Sequence, residues 1–145
     1  MIKAKEIFMD DLLFKVHPPK FIRYLFFIAY CWYRRFSIER YNAHHTAILI
    51  ISIGFLIIYM SLLLPFLING NNKILILLPI FLLVFGQFYI WFWYKDKWKI
   101  YIDEFKHVNV KRQKWGLIYL FIYLILCYYV GIELIMIKNI LNLNT

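Results

Sequence analysis

The run Ala47–Ile68, AILIISIGFLIIYMSLLLPFLI, is followed, after Asn69-Gly70-Asn71-Asn72-Lys73, by a second run, Ile74–Tyr94, ILILLPIFLLVFGQFYIWFWY. Neither run holds a charged residue. As helices rising ~1.5 Å per residue they reach roughly 32 to 33 Å, against a hydrocarbon core of about 30 Å. Five residues rich in Asn and Gly suffice to end one helix and reverse the chain. The pair reads as a helical hairpin through a bilayer.

Composition agrees. The chain is 63% hydrophobic and 21% aromatic with a mean hydropathy of +0.65, too apolar for a soluble chain of 145 residues. A soluble helix is apolar on one stripe, whereas these runs are apolar on every face. Lipid accepts such helices because each satisfies its backbone groups internally. Abundant Ile, Leu, Phe, Tyr, Lys and Asn with scarce Ala resembles the codon usage of an AT-rich bacterial genome. The first twenty residues carry Glu6, Asp10 and Asp11 and no apolar core, so no secretory signal peptide is read there. A disulfide between Cys31 and Cys127 is not expected, because the two fall in different regions.

A third span is expected over Trp115–Ile137. The fold class is therefore all-α: a polytopic helical membrane protein with three transmembrane helices, spans 47–68, 74–94 and 115–137, plus N-terminal amphipathic and interfacial helices. Residues 1–46 form the N-terminal region and 47–145 the three-span domain. Within 1–46, Phe8, Met9, Leu12, Leu13 and Val16 mark a short amphipathic helix that Pro18-Pro19 ends. The next helix, 20–41, has only the ten residues Tyr24–Tyr33 uncharged between Arg23 and Arg34-Arg35. That is about half a span, suited to lying in headgroups with rings toward lipid and guanidinium groups toward water; a re-entrant segment is the alternative. The aromatic run Trp91-Phe92-Trp93-Tyr94 marks the water boundary, and Trp98, Tyr101, Ile102 and Phe105 extend the second helix two or three turns beyond it. His107–Val110 is the expected reversal.

Orientation follows from Lys and Arg. Eight precede Ala47, seven lie in 95–114, one is in the hairpin turn and one in the tail. The first two groups share the cytoplasmic side, giving N-terminus inside and C-terminus outside, in a bacterial inner membrane.

Four sets of residues could carry function. Ala47, Gly54 and Ser61 recur every seven residues and make a small-residue packing seam, against the second span or against a second copy. Arg23, Arg34, Arg35, Arg40, Lys95, Lys97, Lys99, Lys111, Arg112 and Lys114 form a cytoplasmic surface for protein contact or lipid headgroups. Gln87 and Glu133 are the intramembrane polar candidates, the first as packing glue and the second within reach of water or Lys138. His44 and His45 are weak metal candidates, since neighbours on a helix point about 100° apart; His17 and His107 could complete a site.

A net charge of +9 points first to anionic lipid, since insertion itself collects such charge, and nucleic acid is not expected. No nucleophile elbow, zinc-protease motif or phosphate loop occurs, and no catalytic residue or cofactor is assigned. The expected role is a non-catalytic subunit, accessory partner or regulator acting by protein contacts. A self-associating pore or membrane-disrupting effector is the first rival, and a lipid-modifying enzyme using interfacial His and Arg the second.

Overall fold

The structure, a computed structural model, describes residues 2–35, 41–68 and 73–143, and every regular element among them is helical. The order is α1 (Ile2–Lys15), α2 (Lys20–Tyr33), α3 (Ala43–Ile68), α4 (Lys73–Phe88), α5 (Lys97–Glu104) and α6 (Val110–Leu143). Three stretches are long and apolar enough to cross a membrane: Ala43–Leu63 in α3, one starting at Leu77 in α4, and Val110–Leu141 in α6. The hairpin turn 69–72 and Arg40 lie outside the described residues.

Side-chain pairings give the helix directions. His45 meets Trp93, Phe55 meets Phe88 and Tyr59 meets Gln87, so α3 and α4 are antiparallel. Gly54 faces Tyr123 and Cys127, Ser61 faces Gly131, and Leu62 meets Lys138, so α3 and α6 run the same way. Up, down and up again is the sequence of directions that three consecutive spans require.

The core is not evenly spread along these rods. Ile22, Phe26 and Ala29 of α2 close over Ala47, Ile48 and Ile51 of α3, with Phe92 and Tyr101 beside them; all are essentially inaccessible. Farther along, α4 and α6 expose Leu75, Leu78, Leu82, Phe121, Ile125 and Leu126. One end is packed like a soluble protein, and the rest is bare hydrocarbon. The helices are also longer than expected: α3 starts at Ala43 and α6 spans 110–143, roughly 39 and 51 Å against about 30 Å of hydrocarbon. The surplus length at their shared start is what α2 and α5 sheathe.

Two expectations are corrected here. First, the central rings of α2, Phe26 and Phe27, are buried against protein rather than offered to lipid. Phe26 packs on Phe92 and Phe27 on Phe105, because the apolar stripe of α2 is matched by the starts of α3 and α6. Second, the second rod does not continue straight. After Phe88 it widens into a π turn, with the Tyr94 N–H donated to the Tyr89 carbonyl. Lys95 and Asp96 then take left-handed φ of 51° and 53°. The Tyr101 hydroxyl consequently reaches the Trp91 carbonyl at 2.7 Å, where ten residues of unbroken helix would leave about 15 Å. The chain folds back, and α5 packs against the π turn and α2. The reversal before α6 falls at 105–109, starting two residues earlier than the expected His107–Val110, with Val110 already in α6.

The seam residues Gly54 and Ser61 serve α6 rather than the second span, and Ala47 lies in the cluster with α2. A Cβ on Gly54 would come within 2.7 Å of the Tyr123 hydroxyl, and one on Gly131 within 2.8 Å of Ile57. The hydroxyl of Tyr123 also donates to the Ile51 carbonyl at 3.1 Å. Gly54→Leu and Gly131→Leu should each cost about 1–3 kcal/mol by overpacking this contact. Detergent-titrated unfolding followed by circular dichroism checks this, with Gly86→Leu as the neutral control, since nothing lies within 4 Å of that position.

Candidate functional site

Polar side chains concentrate where α1, α2, α5 and the end of the second rod meet. Pro18 and Pro19 have no N–H, so α1 stops and its last carbonyls are left without helical donors. Lys97 supplies the donor. It lies first in α5, fully buried, and its Nζ donates to the Leu13 carbonyl at 2.6 Å and the Val16 carbonyl at 2.7 Å. The rings of Phe14 and Tyr94 flank the ammonium at 5.9 and 5.6 Å. No carboxylate among the described residues pairs with it. Burial holds the Lys97 pKa below the ordinary lysine value. Lys97 was expected on a contact surface; it is instead a structural plug.

Beside it, Tyr101 gives its one proton to the Trp91 carbonyl, so the 2.9 Å contact with His17 Nδ1 has the imidazole N–H donating to the phenol oxygen. His17 therefore carries its proton on Nδ1. Desolvation, with the charges of Lys97 and Arg23 adding to it, holds the His17 pKa below 6.5. Arg23 donates to Glu104 at 2.7 Å across α2 and α5 and lies over the Tyr101 ring at 5.8 Å. Asp10 ties α1 to the same junction, accepting from the Tyr94 hydroxyl at 2.6 Å and from Lys95 at 3.3 Å. Those contacts, the Tyr94 bond foremost, hold the Asp10 carboxyl below its usual range.

The other expected site residues separate into engaged and exposed groups. His44 stacks on Trp98 at 4.2 Å, and His45 accepts from the Trp93 indole at 2.9 Å, so both rings are spent on packing. No three His, Cys, Asp or Glu converge as metal ligands among the described residues. Gln87 accepts from Tyr59 at 2.9 Å, binding α4 to α3. Glu133 is half-buried and engages the Tyr129 hydroxyl one turn before it. The Lys138 ammonium crosses to α3, donating to the Ser61 carbonyl at 3.1 Å and to that of Leu62. Pro65, four residues after Ser61, has no N–H for that carbonyl, so the lysine replaces the missing donor. Lys99 pairs with Asp96, and Cys31 and Cys127 are free thiols.

Arg34, Arg35, Lys111, Arg112 and Lys114 are exposed and, unlike the also exposed Lys95 and Lys99, have no carboxylate partner among the described residues. Arg35 donates to Gln113 at 3.2 Å, which joins the end of α2 to the start of α6 and makes one patch of residues 78 positions apart. The sequence signalled each charge but not this sorting. Roles as donors to distant carbonyls, such as those of Lys97 and Lys138, leave no local pattern.

Two outcomes follow. Lys97→Met should leave two carbonyls unmet, costing about 1–3 kcal/mol, and should raise amide exchange across residues 2–15, while Lys99→Met leaves it unchanged. The folded site binds a proton on His17 less tightly than the unfolded chain does, so its contribution is full above pH 6.5 and falls as the pH drops through that value. Exchange across α1 should therefore rise on acidification, and His17→Gln should flatten the dependence.

Compared with protein-family models, with curated proteins and with solved structures, the chain has no significant match in any of the three.

Proposed function

We propose that the protein is a three-span integral membrane protein of a bacterial inner membrane, N-terminus inside and C-terminus outside, that acts without catalysis. Its work is contact. The exposed cationic patch of Arg34, Arg35, Lys111 and Lys114 docks an acidic surface of a larger membrane system, as subunit, accessory partner or regulator. The observation that carries this reading is the sorting of charge: Arg23 and Lys97 are taken up within the fold and the exposed Lys95 and Lys99 pair with Asp10 and Asp96, whereas these four are gathered at one end, exposed and without a carboxylate partner among the described residues. Exposed apolar faces of α4 and α6 support placement in lipid, and the surplus cations at the packed end support cytoplasmic placement of that end.

The rival readings have less to stand on. A pore built along Ala47, Gly54 and Ser61 needs a face that α2 and α6 already occupy. A lipid-modifying enzyme on His44 and His45 needs rings that Trp98 and Trp93 already hold.

The topology predicts that, in a chain otherwise without cysteine, a thiol at position 71 labels with an impermeant reagent from outside. One at position 106 should label only after permeabilisation; labelling of both from one side rejects the arrangement. Crosslinking in the native membrane should join the chain to a partner protein. Arg34→Glu with Lys114→Glu should cut that yield at least about tenfold by placing like charges across the contact. A wild-type chain that stays monomeric and crosslinks to nothing overturns the reading.

A further inference from the structure

An apolar groove of about 430 Å³ lies between α2 and α6. Phe21, Tyr24 and Leu25 form one wall, and Tyr119, Ile122 and Leu126 the other. It runs about 10 Å along α6, from Tyr119 to Leu126, and opens sideways where Phe21, Ile122 and Leu126 are exposed. Its lining offers hydrocarbon and no polar atom in its depth, so its occupant there is apolar and narrow.

The mouth differs in chemistry. Arg112, Trp115, Tyr119, Ile122 and Leu126 recur at alternating three- and four-residue steps, so they share one face of α6 and Arg112 heads the groove. Tyr24 lies within electrostatic reach of both Tyr119 and Arg112. Among the described residues, neither the Arg112 guanidinium nor the Tyr24 and Tyr119 hydroxyls has a hydrogen-bond partner. One cation and two phenol groups stand at the end of an apolar slot, with no acceptor supplied by the described residues. Trp115, on the same stripe, is exposed beside them.

We propose that this groove binds one anionic phospholipid from the surrounding bilayer. Its phosphate is held by Arg112 with Tyr24 and Tyr119, and one acyl chain lies along Tyr119–Leu126. Charge complementarity favours the anionic headgroup, because a planar guanidinium can take two phosphate oxygens at once while phenol groups donate to others. A second protein helix is a poorer occupant, since the slot is only a few turns long and ends at a cation. The inference rests on the placement of α6 in lipid and does not depend on the protein partner proposed above.

The test uses the whole chain, purified in mild detergent from vesicles of equal parts phosphatidylglycerol and phosphatidylcholine, and counts lipid retained by native mass spectrometry. One phosphatidylglycerol per chain is expected in preference to phosphatidylcholine. Arg112→Gln should lower its retention at least about tenfold, as loss of a charge-assisted pair does. Ile122→Trp, which fills the slot from a lipid-exposed position, should lower retention of either lipid; should that variant misfold, Tyr119→Phe, which removes one phenol donor, should lower retention of phosphatidylglycerol. Lys114→Gln, off the groove stripe, should change nothing. Equal retention of the two lipids, or an equal loss with Lys114→Gln, overturns the proposal. No partner protein is present, so failure here leaves the contact reading standing, and the reverse also holds.

Discussion

Where a helix stops or a proline interrupts it, carbonyls lose their donors, and in a chain this apolar little water is at hand to replace them. That constraint organises the structure. Lys97 answers the end of α1, Tyr101 reaches the Trp91 carbonyl just before the break in the second rod, and Lys138 answers the carbonyl that Pro65 leaves open. Each donor comes from a different helix than its acceptor or from beyond a reversal. Satisfying the backbone is thus also what ties the helices together.

The same demand explains why charge is unevenly available. A lysine spent inside, as Lys97 is, cannot meet a partner, and its burial is tolerable because two carbonyls and two aromatic rings take the place of water. Arg23 is likewise taken by Glu104. Arg34, Arg35, Lys111 and Lys114 cluster where α2 ends and α6 begins, because the Arg35–Gln113 contact and the Ile28–Gly116 approach bring those helices together there. Architecture and the proposed contact surface are two consequences of one packing arrangement. The junction that ties down α1 is small and polar, and His17 opens it to pH.

Packing along the rods follows a second rule. Along the exposed apolar stretches the helices approach closely through Gly54, Ser61 and Gly131, the small residues that association in lipid would call for. At the end that α2 and α5 sheathe, burial against protein takes over. Ile22, Phe26, Ala47, Ile48, Ile51 and Phe92 are then packed as in a soluble core. The two regimes meet within α3, which is why that helix touches α2 along one part and α6 along another.

By itself the sequence determined the helical class, the three long apolar rods, the end imposed by Pro18-Pro19, a reversal near His107, and the small-residue seam. These follow from composition and local geometry, which need no knowledge of neighbours. Tertiary structure decided the rest. No glycine announces the break at Lys95–Asp96, so helical spacing in Trp98, Tyr101 and Phe105 reads equally well as a continuation. A seam shows that something approaches closely but not which helix, and α6 rather than α4 meets Gly54 and Ser61 because α3 and α6 run parallel in register. Counting Lys and Arg cannot separate a plug from a surface, since the acceptors of Lys97 and Lys138 are backbone carbonyls that every residue carries and only the fold brings near.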